Sequence, residues 1–172
     1  MKDLINEVVS VWEAGDGMIA KVVIDGGGAD AIEAFKALDS MRQPVRNIET
    51  SLILKNGERV LLPFIGSAYM TPDRTGVVSI FSPGQYVNDK EDDYFKKPNN
   101  AAVFNADGTL RFQLCLDRGV RIAAFHGGEM PEEFKGLMGV VVQPDLSSPP
   151  ELLYAIDSDS PLLISTGKRV RW

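Results

Sequence analysis

The segment with the clearest potential for chemistry is Asp25-Gly26-Gly27-Gly28-Ala29-Asp30-Ala31. Its Gly26-x-Gly28-x-x-Ala31 spacing follows an extended run and precedes a helical pattern. That formally satisfies the fingerprint in which backbone N–H groups and a helix N-terminus cradle a pyrophosphate. Glu49 falls where a ribose-binding acid would sit. The dinucleotide fold, however, needs several parallel strands joined by crossover helices, and the sequence that follows reads as hairpins. Asp25 and Asp30 would also repel a phosphate. We read the segment as a flexible strand-to-helix link, with no cofactor.

The other reactive side chains stand alone. His126 is the single histidine and is followed by Gly127, Gly128 and Glu129. A catalytic base needs a nucleophile and an orienting acid, and the serines of this chain lie in no recognisable nucleophile elbow. One histidine also excludes a multi-histidine metal site. The many Asp and Glu leave a two-carboxylate hydrolase open. Cys115, the single cysteine, sits between Leu114 and Leu116; it reads as a buried small hydrophobe, and no internal disulfide can form. Asp157-Ser158-Asp159 resembles the start of a calcium loop, but the sixth position is Leu162 and the twelfth is Lys168, so no metal is expected there.

The run Asp89-Lys90-Glu91-Asp92-Asp93 followed by Tyr94 and Phe95 is the most promising partner-binding feature. Carboxylates at Asp89, Glu91, Asp92 and Asp93 cannot be buried unpaired and must face water or a basic partner. Tyr94 and Phe95 supply the aromatic anchors typical of interface hot spots. The bland alternative is a solvated loop ending in Lys96-Lys97. The C-terminal Lys168-Arg169-Val170-Arg171-Trp172 reads as a last strand with alternate residues in solvent, or as a contributor to partner recognition.

The elements that must position these groups are mostly strands. Residues 7–13 and 18–24 flank Ala14-Gly15-Asp16-Gly17, which suits a hairpin; a short helix over residues 4–11 is the alternative. Residues 51–55 and 59–64 flank Asn56-Gly57, a strong two-residue hairpin signal. Residues 76–81, 101–104, 109–114, 120–125, 137–142, 152–156 and 162–171 continue the series, with Asn105-Ala106-Asp107-Gly108 as another turn. Between them residues 82–100 form a long polar connection. One helix is expected near residues 29–41, where Ile32, Phe35, Leu38 and Met41 recur every three positions and Arg42-Gln43-Pro44 stops the pattern. The expected fold class is α+β, mainly β: about ten strands in an antiparallel meander of hairpins, curled like a barrel or like half a propeller, with that single helix.

Length and charge set the outer bounds. The 172 residues suit a single domain spanning 1–172, with 44% hydrophobic residues to build a core. Eighteen basic residues against twenty-four acidic ones give a net charge of −6, which argues against direct nucleic-acid binding. The N-terminus lacks the apolar run of a secretory signal, and no window reaches the ~20 apolar residues of a helical membrane span. A cytoplasmic location with no membrane partner is the expectation.

The hairpin from Val103-Phe104-Asn105-Ala106-Asp107-Gly108 to Thr109-Leu110-Arg111-Phe112 resembles one that recurs in small β-rich bacterial proteins. The ending from Glu151-Leu152-Leu153-Tyr154 to Lys168-Arg169-Val170-Arg171 is similar to theirs as well. Many of those are immunity proteins, which neutralise toxins delivered between bacterial cells. The resemblance implies a cytoplasmic, non-catalytic protein that binds a cognate toxin, such as a basic nuclease domain. It transfers no site residues. The alternative from a different class is a small enzyme or ligand-binding domain using His126 and carboxylates in a β-lined cleft. A third reading is a scaffold subunit that pairs strand edges with another copy.

Overall fold

Asx turns between short strands generate this architecture. The computed structural model describes residues 4–24, 36, 38–81, 99–117, 119–144 and 151–170. Among them run twelve strands: β1 (Ile5–Ala14), β2 (Ile19–Ile24), β3 (Val45–Leu54), β4 (Arg59–Leu61), β5 (Ala68–Met70), β6 (Gly76–Ile80), β7 (Ala101–Asn105), β8 (Leu110–Gln113), β9 (Val120–Phe125), β10 (Met138–Pro144), β11 (Leu152–Ile156) and β12 (Leu163–Arg169). A single 3₁₀ turn, Glu132–Phe134, joins β9 to β10.

Three hairpin turns share one geometry. In each, a carbonyl accepts the N–H three residues on, and the same residue's N–H reaches the carbonyl four residues on: Ala14 with Gly17 and Met18, Leu54 with Gly57 and Glu58, Asn105 with Gly108 and Thr109. The side-chain oxygens of Asp16, Asn56 and Asp107 accept the N–H two residues ahead, at 3.1, 2.8 and 2.9 Å. Gly17, Gly57 and Gly108 close the turns at φ of 84°, 86° and 81°, a region that costs glycine nothing. Asp73 and Asp157 repeat the Asx bond without glycine, to Thr75 and Asp159.

The strands assemble into three four-stranded antiparallel sheets, ordered β2-β1-β3-β4, β5-β6-β7-β8 and β12-β11-β10-β9. The second and third are simple meanders. In the first, β3 returns to pair with β1, in register Val8↔Leu52 and Val9↔Ser51. Each sheet is open, so the barrel alternative is not realised.

The middle sheet is apolar on both faces, and its period of two divides the core. Val77, Ala102 and Phe104 point to one side, where they join Ile5, Val8, Leu52, Leu54, Phe64 and Phe81 in a first core shared with the β2-β1-β3-β4 sheet. Val78, Ala101 and Val103 point to the other, joining Leu114, Ile122, Val140, Val142 and Ile156 in a second core shared with the third sheet. Cross-strand register keeps these sets apart, since Val77 opposes Phe104 and Val78 opposes Val103. The result is three stacked layers of sheet.

The expected helix over residues 29–41 is not borne out as an element. Residues 29–35 and 37 lie outside the described residues; Lys36, Leu38 and Asp39 are helical, and the Ser40 N–H donates to the Lys36 carbonyl. What the periodic pattern does supply is its end: Leu38 and Met41 are buried in the first core. The short strand β5 is an addition that the sequence pattern did not signal.

Candidate functional site

Two arrangements of polar and reactive residues stand out, and they differ in kind. The first is a clamp where turns of the second and third sheets meet. Leu110 and Phe112 of β8 oppose adjacent residues of β7, leaving Arg111 as the extra residue of a bulge. Its guanidinium donates from Nε to Asn105 Oδ1 at 2.7 Å, to the Ser158 carbonyl at 2.8 Å, and to the Thr75 carbonyl and hydroxyl at 2.8 and 3.1 Å. Asp159 lies 4.0 Å from the same group. Arg111 therefore ties the β5–β6, β7–β8 and β11–β12 turns together.

Asp73 belongs to the same junction. Partial burial alone would raise its pKa, but hydrogen bonds from the Thr71 hydroxyl, the Thr75 hydroxyl and N–H, and the Ser158 hydroxyl outweigh that and lower it to about 2. A carboxylate held this acidic stays ionised and serves as an acceptor, not as a proton shuttle. Asn100 stitches the same two sheets together near the start of β7. The Asn100 amide donates to the Ile122 carbonyl and accepts its N–H, at 2.7 and 2.9 Å, so a side chain occupies the free edge of β9. Asn99 Oδ1 accepts the Leu116 N–H at 2.9 Å.

The second arrangement is an open cleft of about 270 Å³ lined by Cys115, Leu116, Asp117, Val120, Val142, Tyr154, Leu162 and Leu163. It is the mouth of the second core. Val142 belongs to that core, and Leu116, Val120, Tyr154 and Leu163 pack against it. The chain leaving β8 passes beside the start of β12, where the Cys115 N–H donates to the Pro161 carbonyl at 2.8 Å.

Cys115 is exposed in this cleft, a correction to the expectation of a buried thiol. The reason is alternation: Leu114 takes the core-facing position and is fully buried, which turns its neighbour outward. Leu162 is also open to water, with 62% of its surface exposed.

His126 is not brought to this cleft. Phe125 opposes Val140, whose side chain enters the second core. The next pair, His126 and Gly139, joined by the His126 N–H on the Gly139 carbonyl, therefore faces the opposite side of the sheet. There a side chain added to Gly139 would meet Met130 Sδ at 2.5 Å and His126 Cβ at 3.0 Å, so His126 packs closely over the glycine. His126 and this cleft therefore lie on opposite faces of the third sheet.

Asp89, Glu91, Asp92, Asp93, Tyr94 and Phe95 lie outside the described residues, as does the Gly26-x-Gly28-x-x-Ala31 segment. Asp157-Ser158-Asp159 forms the β11–β12 turn, with the Asp157 carboxylate accepting the Asp159 N–H at 3.0 Å. Lys168 and Arg169 are exposed on β12, beside a bulge in which Gly167 takes φ of 70°. Among the described residues no group of three His, Cys, Asp or Glu side chains is placed to hold a metal ion, and no helix is long and apolar enough to cross a membrane.

Sequence reasoning missed Arg111, Asp73, Asn99, Asn100, Asp117, Tyr154 and Leu162. The Asp-x-Thr spacing shared by Asp73–Thr75 and Asp107–Thr109 was a usable signal for the turns; nothing comparable marked the cleft, whose lining comes from distant segments. Comparison with known proteins gives no match: no family model, no curated protein and no solved structure corresponds to this chain.

Proposed function

We propose that this is a cytoplasmic, non-catalytic binding protein of the immunity type, which occludes a cognate toxin domain such as a basic nuclease. The observation that supports it most is the division of labour between polar and apolar groups. Among the described residues, the strongly acidic carboxylate Asp73 and the multiply bonded cation Arg111 are consumed in holding turns together. Meanwhile Met18, Ile19, Leu61 and Leu162 are each more than half exposed. Apolar side chains left in water lower the free energy of association when a partner covers them, by ~25 cal/mol per Å².

The acidic run, with Asp89, Glu91, Asp92 and Asp93 flanked by Tyr94 and Phe95, is the proposed contact for the toxin's basic groups. Its charges would accelerate encounter and lend the complex a salt dependence. The finer architecture belongs to the same proposal: three stacked four-stranded sheets, two of them simple meanders, suit a half-propeller. Such a stack offers a rigid frame from which loops bind.

The test is co-purification with a candidate toxin, followed by charge reversal at Asp92 and Asp93. The expected result is a complex that weakens with added salt and weakens further in the D92K/D93K variant. Unchanged affinity and unchanged salt dependence would remove the acidic run from the interface.

A further inference from the structure

We propose that the mouth of the second core is a pocket for one aliphatic ammonium group, supplied by a lysine side chain of a protein partner. This rests on the binding-protein reading above and identifies a contact separate from the acidic run. Size comes first. At about 270 Å³ the cleft falls below the ~300–1,000 Å³ of pockets that hold drug-sized ligands, and it suits a single long side chain.

The walls set the chemistry. Leu116, Val120, Val142, Leu162 and Leu163 form an aliphatic surface, which matches the methylene stem that lysine buries while keeping its charged end in water. Leu162 is 62% exposed and gains the most from being covered. Asp117 is the one charged side chain among the described lining residues, and it is exposed to solvent. An apolar body with a single positive end is the complement of that lining, and the net charge of −6 favours a cationic partner at longer range.

The pocket can be tested without the toxin. Uniformly ¹⁵N-labelled protein is titrated separately with n-pentylammonium, n-pentanol and pentanoate at matched ionic strength, following the backbone amides of Cys115, Leu116, Val120 and Leu162. The expected result is binding of pentylammonium at least threefold tighter than pentanol, with pentanoate weakest. In Asp117→Asn the first two become equal, and Leu162→Ala weakens both. The peptide acetyl-Ala-Lys-Ala-amide is expected to shift the same amides.

Absence of shifts with pentylammonium overturns the proposal. So does an equal or stronger response to pentanoate, which would direct attention to Arg118, the residue after Asp117 in sequence. Shifts with the free amine but none with the peptide overturn the assignment to a partner's side chain. Because none of these probes is a toxin, failure of the pocket and failure of the immunity reading are read separately.

Discussion

The two cores flank one sheet, yet they are finished differently. The first is closed by aromatic rings: Phe64 lies 5.2 Å from Phe81 and 4.8 Å from Phe104, the Phe81 pair crossing at 89°. The second is built mainly from valine, leucine and isoleucine, and it opens at one end into the cleft beside Cys115 and Leu162. Large rings fill volume and leave little surface behind, whereas branched aliphatic chains at a sheet end leave apolar wall facing water. The closed core stabilises the fold and the open one offers a surface, so function is sought at the second.

The sharpest way to break that contrast is to empty the closed core. Phe104 is fully buried and touches both other rings, so Phe104→Ala is expected to destabilise the fold by about 3–5 kcal/mol. Chemical denaturation checks this. A loss below about 1 kcal/mol would mean that the rings do not close the first core.

Next comes the clamp. Arg111→Met keeps the stem but leaves the Thr75 and Ser158 carbonyls and the Asn105 side chain without that donor. A cost of about 2–3 kcal/mol is expected, and Arg111→Lys should recover only part of it, since an ammonium cannot reproduce the planar fork.

Asp73 gives a smaller, pH-dependent effect. Its pKa is about 2 in the fold against 3.8 for the free side chain, so its stabilisation is complete above about pH 4 and is lost as pH falls toward 2. Asp73→Asn should flatten the stability profile in that window. The side chain is exposed, and screening by water keeps the contribution below about 1 kcal/mol. Smallest of all is Leu162→Ala, expected to leave stability within about 0.5 kcal/mol of the parent because the side chain is largely in solvent. A larger loss would make Leu162 a packing residue and remove the basis for treating the open end as a surface.

Much of the strand pattern was legible because it is local. Short, mostly apolar runs over residues 120–125 and 152–156 mark strands whose bounds coincide with β9 and β11, and Asn56-Gly57 and Asp107-Gly108 mark turns whose hydrogen bonds close within five residues. Of the pattern expected over residues 29–41, the part that was legible is its end, since Leu38 and Met41 pack in the first core, while Ile32 and Phe35 lie outside the described residues.

The cleft was not legible for the opposite reason. Cys115, Val142, Tyr154 and Leu162 meet only after three meander connections fold back on one another. Their proximity is a property of sheet stacking, and no spacing along the chain encodes it. His126 shows the same limit: only strand register assigns it to the face away from that cleft.

The central claim, that this protein works by binding, is tested most directly by isothermal titration of the purified protein with a candidate toxin domain, at two salt concentrations. The account expects a one-to-one complex that silences the toxin and weakens as salt rises. The absence of any complex, together with turnover of a small molecule that disappears in His126→Ala, would contradict it.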